Sequence, residues 1–302
     1  MPAHCRKALL VPLLLLSLAE TGDADEVPAP GQPAITVTRR AASRSWLVQE
    51  TRNFRIYCPP GMKVADRLPA ACEELRTHLG KTWFGDATEP WSAPCDIVVH
   101  ETTAAYVAAL GPGSDQSSGC ASFEIEQGKV VRRRIDLRAT ASDWFDSSLP
   151  HELTHVILAD RFTRNRIPRW ADEGMAILVE PPEKQRRRRD ALERSLTERK
   201  GFTARELTGM LDYPAADRRE AFYGESASLV AFLMERESPE RFLEFLELAA
   251  TGKRLDALKE VYGFSDWQSL ETAWRPRLML RGESAELLAQ RVGRITSPSA
   301  LD

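Results

Sequence analysis

The segment His151-Glu152-Leu153-Thr154-His155 restricts this 302-residue chain more than any other feature. Four-residue spacing stacks two imidazoles on one face of a helix, with the glutamate beside them. Leu149, Leu153, Val156 and Ile157 fall largely on the opposite face. The helix thus has one side to bury and one to present to a cleft. Ser148 is expected as its N-cap, and Pro150 is tolerated in the first turn. Two neutral imidazoles make a good zinc platform, and a zinc site of this kind needs a third protein ligand. Eighteen residues beyond His155 stands Glu173, within Arg169-Trp170-Ala171-Asp172-Glu173-Gly174, which reads as the start of a second helix. A turn at Pro168-Arg169 lets that helix run back antiparallel to the first. It would bring Asp172 or Glu173 to the histidines, and residue type alone does not choose between them.

The chain changes character near this motif. Upstream, residues 53–58 and 95–101 read as strands, 63–79 as an amphipathic helix, and the stretch around Tyr106 as a short helix stopped by Gly111-Pro112-Gly113. Residues 121–126 and 130–137 flank Gln127-Gly128 as a hairpin. After about Ala141 strand signals fade and helical segments follow one another. The expected fold class is α+β. A mixed α/β subdomain over 45–140 precedes a mainly helical zinc-site subdomain over 141–281, with the cleft between them and a C-terminal helix and tail over 282–302. The run Arg186–Arg189, with Asp190 and Glu193 close by, reads as a solvated helix face.

Arg6 and Lys7 precede an apolar run over 8–19, so residues 1–19 are expected to be a signal peptide cleaved near Ala19. The run contains Pro12 and falls short of the roughly 20 apolar residues that span a bilayer, which argues for export and against stable membrane insertion. Residues 20–44, with Asp23, Asp25, Pro28, Pro30, Gly31 and Pro33, suit a flexible linker. Cleavage would remove Cys5 and leave Cys58, Cys72, Cys95 and Cys120, an even set for which two disulfides are expected in an oxidising compartment, with the pairing open. Lysine and arginine number 41 against 44 acids, giving a net charge of -3 and no basic footprint for nucleic acid.

The motif residues resemble the gluzincin metallopeptidases, in particular the peptidase MA-like group, and are distantly similar to the aminopeptidase-N-type catalytic domain. The resemblance rests on His151-Glu152-Leu153-Thr154-His155 followed by Trp170-Ala171-Asp172-Glu173-Gly174, and runs loosely from Trp46 to Leu280. It implies a zincin-like fold and zinc as the cofactor, and it selects Glu173 over Asp172 as third ligand. A Tyr-x-x-Ser pattern, here Tyr223 and Ser226, implies that Tyr223 donates to the oxyanion. Aminopeptidases of this type carry a Gly-x-Met-Glu-Asn stretch whose glutamate grips the substrate amine. Here the stretch reads Gly119-Cys120-Ala121-Ser122-Phe123, so an endopeptidase is expected rather than an aminopeptidase.

The resulting expectation is an exported zinc metallopeptidase acting on peptide or protein substrates, with Glu152 as general base. Zinc would lower the pKa of water from 15.7 toward about 7. The alternative is a catalytically silent zincin-like binding module, against which the intact Glu152 argues. Substrate is expected along an edge strand, with 130–137 as the edge. Asp160 and Asp172 are candidates to orient the histidines. His78 and His100 lack partners at ligand spacing and read as structural.

Overall fold

The computed structural model describes residues 37, 39–42, 46–85, 89–278, 290, 292 and 294–296. The expected signal peptide and most of the linker and C-terminal tail lie outside these residues. Six strands form one mixed sheet in the order β1-β2-β3-β4-β6-β5. They are β1 (Arg39–Ala42), β2 (Leu47–Glu50), β3 (Phe54–Cys58), β4 (Cys95–His100), β5 (Gly119–Glu126) and β6 (Lys129–Arg138). β1 falls inside the stretch expected as linker, because its backbone pairs antiparallel with β2. β3, β4 and β6 run parallel, whereas β5 closes back on β6 through the expected hairpin. Positive φ at Gln127 (50°) and Gly128 (75°) gives that two-residue turn its twist.

Side-chain alternation divides the two faces of the sheet. Cys95, Ile97 and Val99 on β4, with Ile135 and Leu137 on β6, are fully buried in the main core. α1 (Leu68–Phe84) packs against β3 on this side, next to the helix α3 (Leu149–Arg161) that carries the histidine motif. The other face holds His100, which contacts Asp136 at 2.7 Å and stacks edge-on against Tyr106 of α2 (Thr103–Leu110). His100 is therefore structural, with a sheet between it and α3.

α3 is the hinge of the architecture. It contacts β5 and β6 on one side and α4 (Arg169–Leu178) on the other. Leu149, Leu153, Val156 and Ile157 are all fully buried, the face that their spacing predicts. Ser148 makes no cap. A single π-helical turn over Trp144–Ser148 leads straight into α3, and the Ser148 hydroxyl bonds the Ser118 hydroxyl at 2.7 Å instead. At the far end of α3, Asp160 accepts from the Trp91 indole and from Arg133 of β6. The guanidiniums of Arg76 and Arg133 cover Trp91, 4.6 and 4.8 Å from its ring. Asp160 thus anchors α3 to the sheet and does not orient a histidine.

The remaining helices, α5 (Pro182–Thr197), α6 (Ala204–Gly209), α7 (Arg219–Arg236), α8 (Pro239–Ala250), α9 (Arg254–Tyr262) and α10 (Trp267–Trp274), complete the helical half. The closest approach is α4 on α7. A Cβ at Gly174 would lie 2.6 Å from the Ser226 carbonyl oxygen, so only glycine lets these backbones meet. The match between expected and observed helices is physical: each has an apolar face to bury in one continuous core.

The cysteine expectation is corrected. Among the described residues no disulfide forms; Cys58, Cys72 and Cys95 are buried thiols and Cys120 is half-buried. Burial pushes the Cys72 and Cys95 thiols well up, so they act as small apolar groups packed between α1 and the sheet.

Candidate metal centre

The π-helical turn and the apolar face of α3 aim its opposite face at α4, where the turn ending at Pro168 brings Glu173 back toward the histidines. His151, His155 and Glu173 each offer a ligand atom within 4.8 Å of the others. Among the described residues this is the only such cluster of three found. The imidazole centroids are 5.0 Å apart. His151 Nε2 lies 3.8 Å from Glu173 Oε2, close enough for both to bind one ion. His78, on α1, takes no part.

Each histidine has its own carboxylate behind it. His155 Nδ1 contacts Asp172 Oδ1 at 2.7 Å, and His151 Nδ1 lies 3.0 Å from Glu180 Oε1. An ionised carboxylate only accepts, so each Nδ1 carries the proton and each Nε2 keeps a lone pair for a ligand bond. Burial opposes the charge on Asp172, but His155 and Arg169 outweigh it and hold the group below its ordinary value. For Glu180 the balance is more extreme. Burial is overcome by Arg188, which grips both oxygens at 2.6 Å, and the carboxyl sits far below the usual range. Lys184 adds a second cation 3.6 Å from Glu180 and bonds Asp143 and Ser147 at 3.1 and 2.9 Å, tying α5 to the turn that starts α3.

The run Arg186–Arg189 is thereby divided. Arg186 and Arg187 pair with Glu183 on the surface, as a solvated face should, but Arg188 turns inward as the support of Glu180. Nothing in the run marks this residue, since its inward direction depends on how α5 lies against α4 and α7.

Tyr213 donates to Glu173 Oε1 and lies under Arg169, whose guanidinium is 5.1 Å from the ring. Arg169 also approaches Asp172 Oδ2 at 3.0 Å and Glu173 Oε1 at 3.9 Å. Tyr223 stands beside Tyr213, ring centroids 6.2 Å apart, with Arg188 over its other side. Burial raises both phenols, so both stay protonated and able to donate. Tyr213 comes from the irregular connection between α6 and α7, which carries no periodic signal, and it is the functional residue that sequence reasoning missed most completely.

Glu152 occupies the sheet side of the cluster. Its side chain lies against Gly119, where an added Cβ would sit 2.7 Å from Glu152 Cγ. The expectation that residues 130–137 form the sheet edge is corrected: β6 is sandwiched between β4 and β5, and β5 is the edge. Continuous hydrophobicity made 130–137 look like a strand, but only the parallel pairing with β4 decides which hairpin arm faces inward.

The local charge fits a cation. Burial by itself would lower the His155 imidazolium, yet Asp172, Glu173 and Glu152 raise it to about 10. A pocket that holds positive charge this firmly, with two nitrogens and one oxygen converging, matches the donor set of a divalent metal.

A family model for the peptidase MA superfamily matches residues 91–280. The chain belongs to the peptidase MA superfamily. The matched region starts at Trp91, so it takes in β4, the β5–β6 hairpin and the whole α3–α4 site but leaves out β1 to β3 and α1. Peptidases of this superfamily are generally metal-dependent, which agrees with the converging histidines and glutamate without naming the ion. No curated protein matches the chain.

Proposed function

We propose that the chain is an exported zinc metallopeptidase that cleaves within polypeptides. The observation that carries this reading is the convergence of His151, His155 and Glu173 on one point, with Glu152 beside it. Bound zinc would supply Lewis acidity and an acidified water. His151 and His155 hold the ion through Nε2, kept in that tautomer by Glu180 and Asp172. Glu173 completes the ligand set, steadied by Tyr213 and Arg169. Glu152 takes the proton of the attacking water and carries it to the departing amine. Tyr223, protonated because burial raises its phenol, donates to the developing oxyanion. Ser122 stands where an amine-gripping glutamate would block the cleft in an aminopeptidase, and this supports internal cleavage. Export rests on the basic and apolar pattern of residues 1–19.

The test is metal analysis of natively purified protein together with cleavage of a mixed peptide library, run beside Glu152→Gln. One zinc per chain is expected in both proteins, with cleavage by the variant reduced about 10²- to 10⁴-fold. Protein lacking stoichiometric zinc would overturn the proposal. Bound zinc with no cleavage of any peptide would instead identify a silent zincin-like module.

A further inference from the structure

The edge strand β5 leads away from the candidate site with an apolar face. Gly119 at its start lies against Glu152, and Ala121, Phe123 and Ile125 follow on the same face by strand alternation. The register supports this placement. Phe123 stands opposite Arg133, whose guanidinium reaches Asp160 near the end of α3. Phe123 is therefore about 13 Å along the strand from Gly119, level with the last turns of α3. Yet Phe123 is 43% exposed and Ile125 38%. The opposite face carries Ser122, Glu124 and Glu126. Edge strands that expose large apolar side chains are normally blunted by lysine or proline, and β5 contains neither. Its open backbone and its exposed apolar pair are continuous with the proposed catalytic base.

We infer that β5 binds, by strand addition, the stretch of an extended polypeptide that precedes the cleaved bond, and that Phe123 and Ile125 select apolar side chains there. This rests on the metallopeptidase reading above. Antiparallel pairing is the stronger ladder, and it runs the substrate from the Glu126 end toward Gly119. The residues opposite Phe123 and Ile125 then lie four and six positions N-terminal to the one opposite Gly119. Cross-strand neighbours on one face approach to roughly 5 Å, so an apolar residue at each position shields the exposed ring and the exposed isoleucine. The substrate class is an unfolded or extended protein segment with apolar residues at alternate upstream positions. A short peptide would leave this strand unused.

The experiment takes one bond that the zinc-loaded protein cuts in a peptide library and places it in two long peptides, with leucine or serine at the two upstream positions. A third peptide ends short of them. Wild type should cleave the leucine peptide about tenfold faster in kcat/KM than the serine peptide, with the short peptide near the serine value. In Phe123→Ser/Ile125→Ser the leucine-to-serine ratio should fall to near one, whereas Glu124→Ser on the opposite face should keep the wild-type ratio. Metal content and thermal melting verify that the variants fold. Equal cleavage of all three peptides by wild type, or an unchanged ratio in the double variant, overturns the inference while leaving the peptidase reading intact. Loss of a dimer in sedimentation with an unchanged ratio assigns β5 to a second copy of the chain and also overturns it. If wild type cuts no peptide of any length, the peptidase reading fails and this inference falls with it.

Discussion

The two sides of α3 position their chemistry by different means. Toward the sheet, Glu152 is held by shape: Gly119 leaves just enough room, and Leu153 and Val156 bury the helix against the core. Toward α4, α5 and α7, the candidate ligands are held by charge. Asp172 and Glu180 support the histidines, and Arg169, Arg188 and Lys184 support the carboxylates. The contrast follows from the tasks. A base must sit at one distance from the reacting atoms, which packing controls best. Metal ligands need an enforced tautomer and basicity, which hydrogen-bonded carboxylates supply.

This contrast breaks most visibly at Gly119. Gly119→Ala forces Glu152 to move, and kcat/KM should fall about 10²-fold with zinc content unchanged. Loss of zinc in that variant would mean that the sheet side also holds the metal. On the charged side the pattern should reverse. Asp172→Asn and Glu180→Gln should weaken zinc binding roughly 10- to 100-fold, measured by competition with a chelator, while kcat at saturating zinc changes less. Equal losses in kcat and affinity would erase the distinction between the two sides.

Stability probes sharpen it further. Gly174→Ala sets a Cβ 2.6 Å from a backbone oxygen of α7, where no flexible side chain can give way. It should cost about 1–3 kcal/mol in urea unfolding. The smallest effect is expected at Glu225, buried in α7. Burial pushes its carboxyl up to about 7, against the Phe202 amide and Arg275, which favour the ionised form. Because the folded state holds this proton more tightly than the unfolded chain, stability falls as pH rises from the ordinary value of 4.5 toward 7. The loss should be roughly 1–2 kcal/mol between pH 4.5 and 8, and Glu225→Gln should flatten that part of the profile. Identical profiles for both proteins would place the proton elsewhere.

Much of this arrangement is legible in the sequence because it is local. Helical periodicity places His151, Glu152 and His155 on one face and Leu149, Leu153, Val156 and Ile157 on the other, and the Gln127-Gly128 turn specifies the hairpin. Such patterns follow from backbone geometry and hold in any fold that accepts the segment. The second helix, with its carboxylates, is equally visible. Glu173 and Asp172 divide their tasks only when α4 packs on α3 and α7, one facing the imidazole Nε2 atoms and the other an Nδ1.

Tertiary structure alone decided the rest. Glu180 sits 29 residues beyond His151, Tyr213 40 beyond Glu173, and Arg188 inside a run that looks solvated. Their roles arise from inter-helix distances that no periodicity encodes. The sheet edge was likewise decided by pairing between β4 and β6, separated by the whole β5 excursion. The thiols stayed unbridged because α1 and the sheet bury them as packing groups. Short-range order is written residue by residue along the backbone, whereas these partners were chosen by how separate elements share one core.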